Sequence, residues 1–436
     1  MDPLGEQQRS AALLFAIAIV GQPLLHPDGP LRSTLADGLM AIAIVGAIWW
    51  AGTHRVRLRF PFLLPVGILV ATGMAAATFS PYLDKSAVAL VQDAFLFAWC
   101  VAIANVIRVP ENLSIVLTAW VWSATAWAAL LIVATGFNVS TIAGAVTGAQ
   151  GRAQLWFDEP NMAGEYFVIS LFVLFLARRP RNRVVWSFAC ALLLIATALT
   201  GSNGAWMSFA VGGAVAAFVA IWRRTDPIFA LAAGMVAVAV IAGLAFVTVQ
   251  SGVLDGIKDS SVPLVKRSLG RSPRSAEGRA NLFADEFELY RTGTLLGLGP
   301  ATTKENLEER GFGISKTAHE DYLATLVERG PLGVIGLALL IGSLAVMAYS
   351  VVFRPLWPAF ARTLRYPSAS IGALVALALY AVTHETLHYR FVWAFFGILA
   401  GLYLFAREVP PVPVVGSRRS RPTTRTRSPL ASGSPP

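Results

Sequence analysis

The sequence is short of charge. Only 14% of its 436 residues are Asp, Glu, Lys or Arg, against about 25% in a soluble globular chain. With 56% hydrophobic residues and a mean hydropathy of +0.62, that shortage argues against a soluble domain and for a membrane protein. Cysteine is scarce as well. Cys100 and Cys190 both fall inside apolar runs, where they read as small buried apolar residues rather than as a disulfide or a metal–thiolate site. A continuous basic stripe is also missing. The net charge of +10 is spread in short tufts between apolar runs, which is a topology signal and not a nucleic-acid surface. No small-residue cleavage site follows the run Ala11–Val20, so it reads as a retained first span. There is no internal or inverted repeat of the kind that argues for a transporter.

Apolar stretches near the ~20 residues that cross a bilayer lie at 11–26, 34–52, 60–80, 87–107, 113–135, 161–177, 184–200, 206–222, 228–249, 331–353, 368–383 and 391–406. They predict an all-α integral membrane protein of about twelve transmembrane helices, several short enough to be tilted or partly re-entrant. One set of short connections holds 14 basic residues, among them Arg55, Arg57, Arg59, Arg108 and Arg178. The opposite set holds only Arg32, Lys85, Arg152 and Arg390. The positive-inside bias places both termini in the cytoplasm of a multi-pass plasma (inner) membrane protein. The expected organisation is a five-span N-terminal bundle (1–135), a central region (136–353) with outer loops 136–160 and 250–317, two last spans (354–406) and a disordered basic cytoplasmic tail (407–436). The large extracytoplasmic loop falls between spans nine and ten. The tail is suited to anionic membrane lipid.

Long loops in such proteins tend to carry function. The first half of loop 250–317 holds Lys258, Lys266, Arg267, Arg271, Arg274 and Arg279 against Asp259 and Glu277. This is either a solvated mixed-charge surface or a seat for a phosphate-bearing lipid, which guanidinium groups grip in a fork. Arg279, in Gly278-Arg279, is the best single candidate. The run Leu282, Phe283, Phe287, Leu289, Tyr290 follows at helical spacing, and Gly297-Leu298-Gly299-Pro300 then turns the chain. Thr317-Ala318-His319-Glu320 reads as a capping box that puts His319 in a first helical turn, where the dipole favours the neutral ring and suits it to be a general base. Gly330-Pro331-Leu332-Gly333 breaks that helix before the next apolar span. In the other outer loop Arg152 is nearly the only basic residue. Pro160-Asn161 opens the following span with free N–H groups directed outward. Asp93 and Glu165 sit in the outer thirds of apolar spans, where ionisable groups usually line a cavity.

These features resemble the O-antigen ligase and polymerase superfamily. The carriers are His319-Glu320 followed by nine residues and Gly330-x-x-Gly333, Gly278-Arg279, Gly297-x-Gly299, Pro160-Asn161, and the large outer loop between spans nine and ten. The resemblance covers about 140–340. It implies a metal-independent glycosyltransferase that moves a glycan from a polyprenyl-diphosphate donor to a glycan or glycolipid acceptor on the outer face. On that resemblance Arg152 and Arg279 hold the diphosphate and His319 activates the acceptor hydroxyl. Asn161, Asp321, Tyr322, Arg274, Asp93 and Glu165 are the expected substrate-binding residues. No cofactor, metal or nucleic-acid partner is expected. Two positions depart from the family pattern. Glu320 stands where an amide or hydroxyl is usual, and Ser202-Asn203-Gly204 stands where Ser-Arg-Gly is frequent.

Two rival readings remain beside it. A polymerase would use a second lipid-linked repeat as acceptor, and a twelve-span transporter or flippase would have no evident need for the 68-residue loop 250–317. His384-Glu385-Thr386-Leu387-His388 is formally HExxH, which on a helix binds zinc through two histidines. Leu254-Asp255-Gly256 is a conceivable third-ligand segment. The motif fills a very short connection, however, and the Asp segment precedes it, the reverse of the order in intramembrane metalloproteases. It reads as a chance match at the outer mouth, in contact with acceptor.

Overall fold

The computed structural model describes residues 3–26, 33–143, 152–225, 274–311 and 320–407. Among these residues the chain is helical, with turns and no strand. The helices are α1 (Pro3–Val20), α2 (Leu35–Thr53), α3 (Leu63–Ala77), α4 (Leu83–Val106), α5 (Pro110–Gly136), a short α6 (Ser140–Ala143), α7 (Pro160–Leu176), α8 (Arg183–Thr200) and α9 (Asn203–Trp222). Then come α10 (Arg274–Thr292), α11 (Thr303–Glu309), α12 (Asp321–Phe353), a short α13 (Pro358–Ala361), α14 (Ala369–Tyr380) and α15 (Arg390–Phe405). Six of them, α2, α4, α5, α8, α9 and α12, are long and apolar enough to cross a membrane. Five shorter apolar helices coincide with further expected spans. The stretch 228–249 and the tail after 407 lie outside the described residues.

Helices that are apolar all round belong inside a bundle. α7 and α15 fit that rule, with nearly every residue buried. α15 is seated by small residues: a Cβ on Gly397 would stand 2.8 Å from the Cys100 carbonyl, and one on Gly401 would stand 2.8 Å from that of Ala104. α9 and α14 cross at Gly212 and Gly372, where a Cβ on Gly212 would lie 2.4 Å from the Gly372 carbonyl. Close backbone approach of this kind drives helix association where the hydrophobic effect is weak. At one end of the bundle the guanidinium groups of Arg59 and Arg108 lie 5.0 and 4.7 Å from the Phe405 ring. At the other end Arg390 grips Asp37 with two bonds of 2.7 and 2.6 Å, tying the start of α15 to α2.

The expected break at Gly330 is present. Gly330 has φ 67° and ψ −175° inside α12, a region open in practice only to glycine. Pro331 has no N–H, so the Val327 carbonyl loses its helical donor. The Leu298 N–H replaces it at 2.9 Å, and the Gly299 N–H serves the next carbonyl, Glu328, at 3.1 Å. Gly297 and Gly299, at φ 90° and 108°, let the chain lie this close. The Glu328 carboxylate then accepts from the Ala301 N–H (2.9 Å) and the Thr303 hydroxyl (2.8 Å), which docks the start of α11. Lys85 and Tyr82 at the head of α4 hold Glu305 and Glu309 of the same helix.

A Cβ on Gly330 would stand 2.2 Å from the Leu295 carbonyl, whereas one on Gly342 in the same helix would meet nothing. Gly330→Ala should therefore lower stability by at least about 1–3 kcal/mol, read as a drop in melting temperature of the purified protein. Gly342→Ala should be neutral or stabilising by about 0.5–1 kcal/mol.

Candidate active site

The connection between α14 and α15, residues 381–389, is where four helices meet. Asp321, the first residue of α12, donates its N–H to the Ala381 carbonyl at 3.0 Å. Its buried carboxylate accepts from the N–H (2.8 Å) and hydroxyl of Thr386 and from the N–H of Leu387 (3.3 Å). Tyr322 donates its hydroxyl to the Ala378 carbonyl near the end of α14 (2.8 Å). From the other side, Tyr380 donates to the Asn161 carbonyl at 2.7 Å, and Tyr389 donates to Glu159 at 3.4 Å. The starts of α7, α12 and α15 and the end of α14 thus share one polar junction.

Beneath it lies a small cavity of about 50 Å³ whose polar wall is Asp93, Asp321, Glu328, Arg329, Glu385 and His388. Asp93 is not a free carboxylate facing this space. It forms a 2.6 Å ion pair with Arg329, which also donates to the Leu69 carbonyl at 2.9 Å. His388 Nε2 lies 4.0 Å from Glu385 Oε2. Burial pushes the Glu385 carboxyl well above the usual carboxylate range, and the carboxylates of Glu328, Asp321, Glu286 and Glu159 push the same way.

A second polar group lies at the start of α7. Arg152 donates through Nε to the Thr200 carbonyl (2.7 Å) and through a terminal nitrogen to Asn161 Oδ1 (2.5 Å). The two residues singled out in this loop are thus in contact with each other. Pro160 occupies the first turn of α7, with Glu159 as N-cap. Glu165, one turn further in, is fully buried and accepts from Ser208 at 3.1 Å, while its second oxygen has no partner.

Helix α10 completes the acidic side. It buries Leu282 and Leu289 and leaves Phe283 and Phe287 exposed, so the expected amphipathic run is a helix of which only part faces inward. Glu286 shares the inner face and is 1% exposed, with one carboxylate oxygen lacking a partner. Burial raises it to about 8, helped by Glu320 and Glu328. Burial likewise raises Glu320 to about 7, against the pull of the Leu323 amide.

Two expectations about local structure need correction. α12 begins at Asp321, with Glu320 in extended backbone as its N-cap (φ −159°, ψ 146°). Glu320 therefore is not the third residue of the helix, where a capping box led by Thr317 would put it. Thr317 and His319 themselves lie outside the described residues, as do Leu254-Asp255-Gly256. Arg274 and Arg279 are in α10, but their side chains are outside the described residues. The segment 384–388 is not helical, so the face-sharing that HExxH requires is not formed. His384 instead stacks on Tyr380, ring centroids 4.2 Å apart, while His388 lines the cavity. Among the described residues, no group of three His, Cys, Asp or Glu could hold a metal ion.

A family model described as O-antigen ligase matches residues 188–341. The resemblance to the O-antigen ligases is shown over this stretch. The matched part includes most of α8, α9 to α11, the Gly330 break and α12 as far as residue 341, so it supplies Asp321, Glu328 and Arg329 to the cavity. Asp93, Glu385, His388 and the Arg152–Asn161 pair come from outside it. No curated protein matches the chain.

Sequence reasoning passed over Arg329 and Glu328. The signal was available, since a Glu-Arg pair directly ahead of Gly330-Pro331 is as costly in an apolar helix as Asp93 is. Arg329→Ala should destabilise the protein by about 3–5 kcal/mol because it strands Asp93. Adding Asp93→Asn should restore part of that loss, a coupling that a double-mutant cycle of thermal stabilities measures. The acidic pair gives a pH prediction. Glu286 and Glu320 are held above the ordinary glutamate value of 4.5, so the folded state binds more protons than the unfolded one from about pH 4.5 to 8. Stability should fall as pH rises through that window, and Glu286→Gln should flatten the melting-temperature profile.

Proposed function

We propose that this protein transfers a glycan from a polyprenyl-diphosphate donor to an acceptor hydroxyl at the outer face of the plasma membrane. The carrying observation is that the O-antigen ligase-like stretch bends at Gly330 and brings the head of α12 to the same buried polar junction as Arg152, Asn161 and the 381–389 connection. In an otherwise apolar bundle such a junction is costly, and function is the usual reason for it. The distribution of basic residues supports the outer face, since Arg59 and Arg108 gather at the end of the bundle opposite this junction.

In this reading Arg152 and Arg279, with Arg274 nearby in sequence, neutralise the diphosphate as it leaves. Arg152 is already fixed by Thr200 and Asn161, so little ordering remains to be done when the donor arrives. The acceptor oxygen bonds to the anomeric carbon, the carbon–oxygen bond to the diphosphate breaks, and the acceptor proton passes to His319. Displacement of this kind inverts the anomeric configuration. A diphosphate is a good leaving group once its charge is compensated, so positioning and electrostatics suffice.

The test is single-turnover transfer by purified protein in lipid nanodiscs, with a radiolabelled lipid-diphosphate glycan as donor. His319→Ala should slow transfer about 10²–10⁴-fold with folding unchanged. Arg279→Lys should weaken donor binding nearly as much as Arg279→Ala, because the fork is lost while the charge stays. Activity should survive a chelator. Parental rates in both His319→Ala and Arg279→Ala would overturn the proposal.

A further inference from the structure

The end of the bundle away from the junction carries charge of one sign that the proposed reaction does not use. α7, α12 and α15 all start at the junction and finish at that end, at Leu176, Phe353 and Phe405. The segments that follow them are knitted together through the backbone. The Arg178 N–H donates to the Thr363 carbonyl at 2.9 Å and the Arg365 N–H to the Leu176 carbonyl at 2.8 Å, on either side of an antiparallel bridge between Ala177 and Leu364. The Trp357 N–H donates to the Ala406 carbonyl at 2.8 Å, which brings in the end of α15. The stretches 177–182, 354–368 and 406–407 hold seven arginines and no Asp or Glu. Among the described residues none of the seven forms an ion pair, and Glu111 in the first turn of α5 is not a partner to them.

Two of these arginines are already held in place. Arg365 donates to the Pro180 carbonyl at 3.3 Å and lies 5.4 Å from the Trp186 ring. Arg407 lies 5.5 Å from the Tyr403 ring, and two of its guanidinium nitrogens are buried without an acceptor among the described residues. Arg354 stands close enough to repel it. A buried guanidinium with no acceptor and a like charge beside it is costly, and an anion relieves both costs. The surroundings select the kind of anion. On α8, which rises from this end, Val184 and Phe188 share a face and are 76% and 62% exposed. Trp186, Trp357 and Tyr366 stand at the same level, as aromatic residues do at a membrane surface. A soluble phosphate would leave that apolar face uncovered. A phospholipid covers it with acyl chains while its phosphate meets the arginines, and a zwitterionic head would bring a cation of its own against them. We infer that the joined 177–182 and 354–368 stretches form a binding site for an anionic phospholipid, with its phosphate on the arginines and its chains along α8. The inference stands apart from the glycan-transfer reading.

Native mass spectrometry of the full chain tests it without turnover. Three probes are added to the delipidated protein: phosphatidylglycerol, phosphatidylcholine with the same acyl chains, and glycerol phosphate as a head without chains. Phosphatidylglycerol should bind about tenfold or more tightly than phosphatidylcholine, weaken as salt rises, and raise the melting temperature. Glycerol phosphate should do neither. Arg179 and Arg362 are exposed and carry no contact of the packed bundle. Changing both, Arg179→Gln with Arg362→Gln, should lower phosphatidylglycerol affinity about tenfold or more and remove its effect on melting, leaving the melting temperature in phosphatidylcholine unchanged. Arg55→Gln with Arg57→Gln takes the same charge from another exposed connection at this end of the bundle, and should leave the affinity as it was. Equal losses in the two double variants would mean diffuse attraction without a site and would overturn the inference. Parental affinity in the Arg179/Arg362 variant, or equal binding of the two lipids, would overturn it as well. Glycerol phosphate binding as tightly as phosphatidylglycerol would make the ligand a free phosphate and overturn the assignment to a lipid.

Discussion

Two backbone hydrogen bonds join the turn at 297–299 to the break in α12. Pro331 deprives the Val327 carbonyl of a donor, and the kink at Gly330 releases that of Glu328. A buried carbonyl without a partner costs about 1–3 kcal/mol, so a helix broken here needs amides from elsewhere. Leu298 and Gly299 supply them. Once they do, the Glu328 carboxylate reaches the start of α11 and Arg329 reaches Asp93 on α4. The break is therefore the joint around which the outer helices, α3, α4 and α12 are arranged.

The Asp321 carboxylate plays a similar part for the other half of the site. Residues 381–389 have no regular structure to satisfy their amides, and Asp321 takes two of them together with a hydroxyl. This draws together segments 65 residues apart in sequence. It also makes a boundary, because the residues of the clasp face the polar cavity on one side and an apolar groove between α12 and α14 on the other.

Much of this was legible in the sequence because the bilayer imposes a simple rule on composition. The apolar stretches fell on helices wherever they can be compared, and Gly330-Pro331 and Pro160 did locally what glycine and proline chemistry requires. Arg152 and Asn161 were singled out separately, and the fold puts them in contact. The miss has a physical cause. Reading Glu320 as the third residue of a capping box relied on local spacing, while the true start of α12 is set by the tertiary contact of Asp321 with Ala381 and Thr386. The formal HExxH was read as a chance match in a short connection, and the segment 384–388 is indeed not helical. Asp93 was expected to line a cavity, and it does, but its ion-pair partner Arg329 lies 236 residues away, a distance no local pattern spans.

The length of α12 has a last consequence. Its inner segment, 331–353, is about 34 Å long, close to the ~30 Å hydrocarbon core of a bilayer. On the proposed orientation, with 331–353 spanning that core, the ten residues before the break and the junction with them would stand just above it. On the proposed reaction the bond that breaks joins the glycan to its lipid, so it lies at the same height however long the glycan is. The helix acts as a fixed gauge measured from the membrane, and a chain of any number of sugars presents the same end to it.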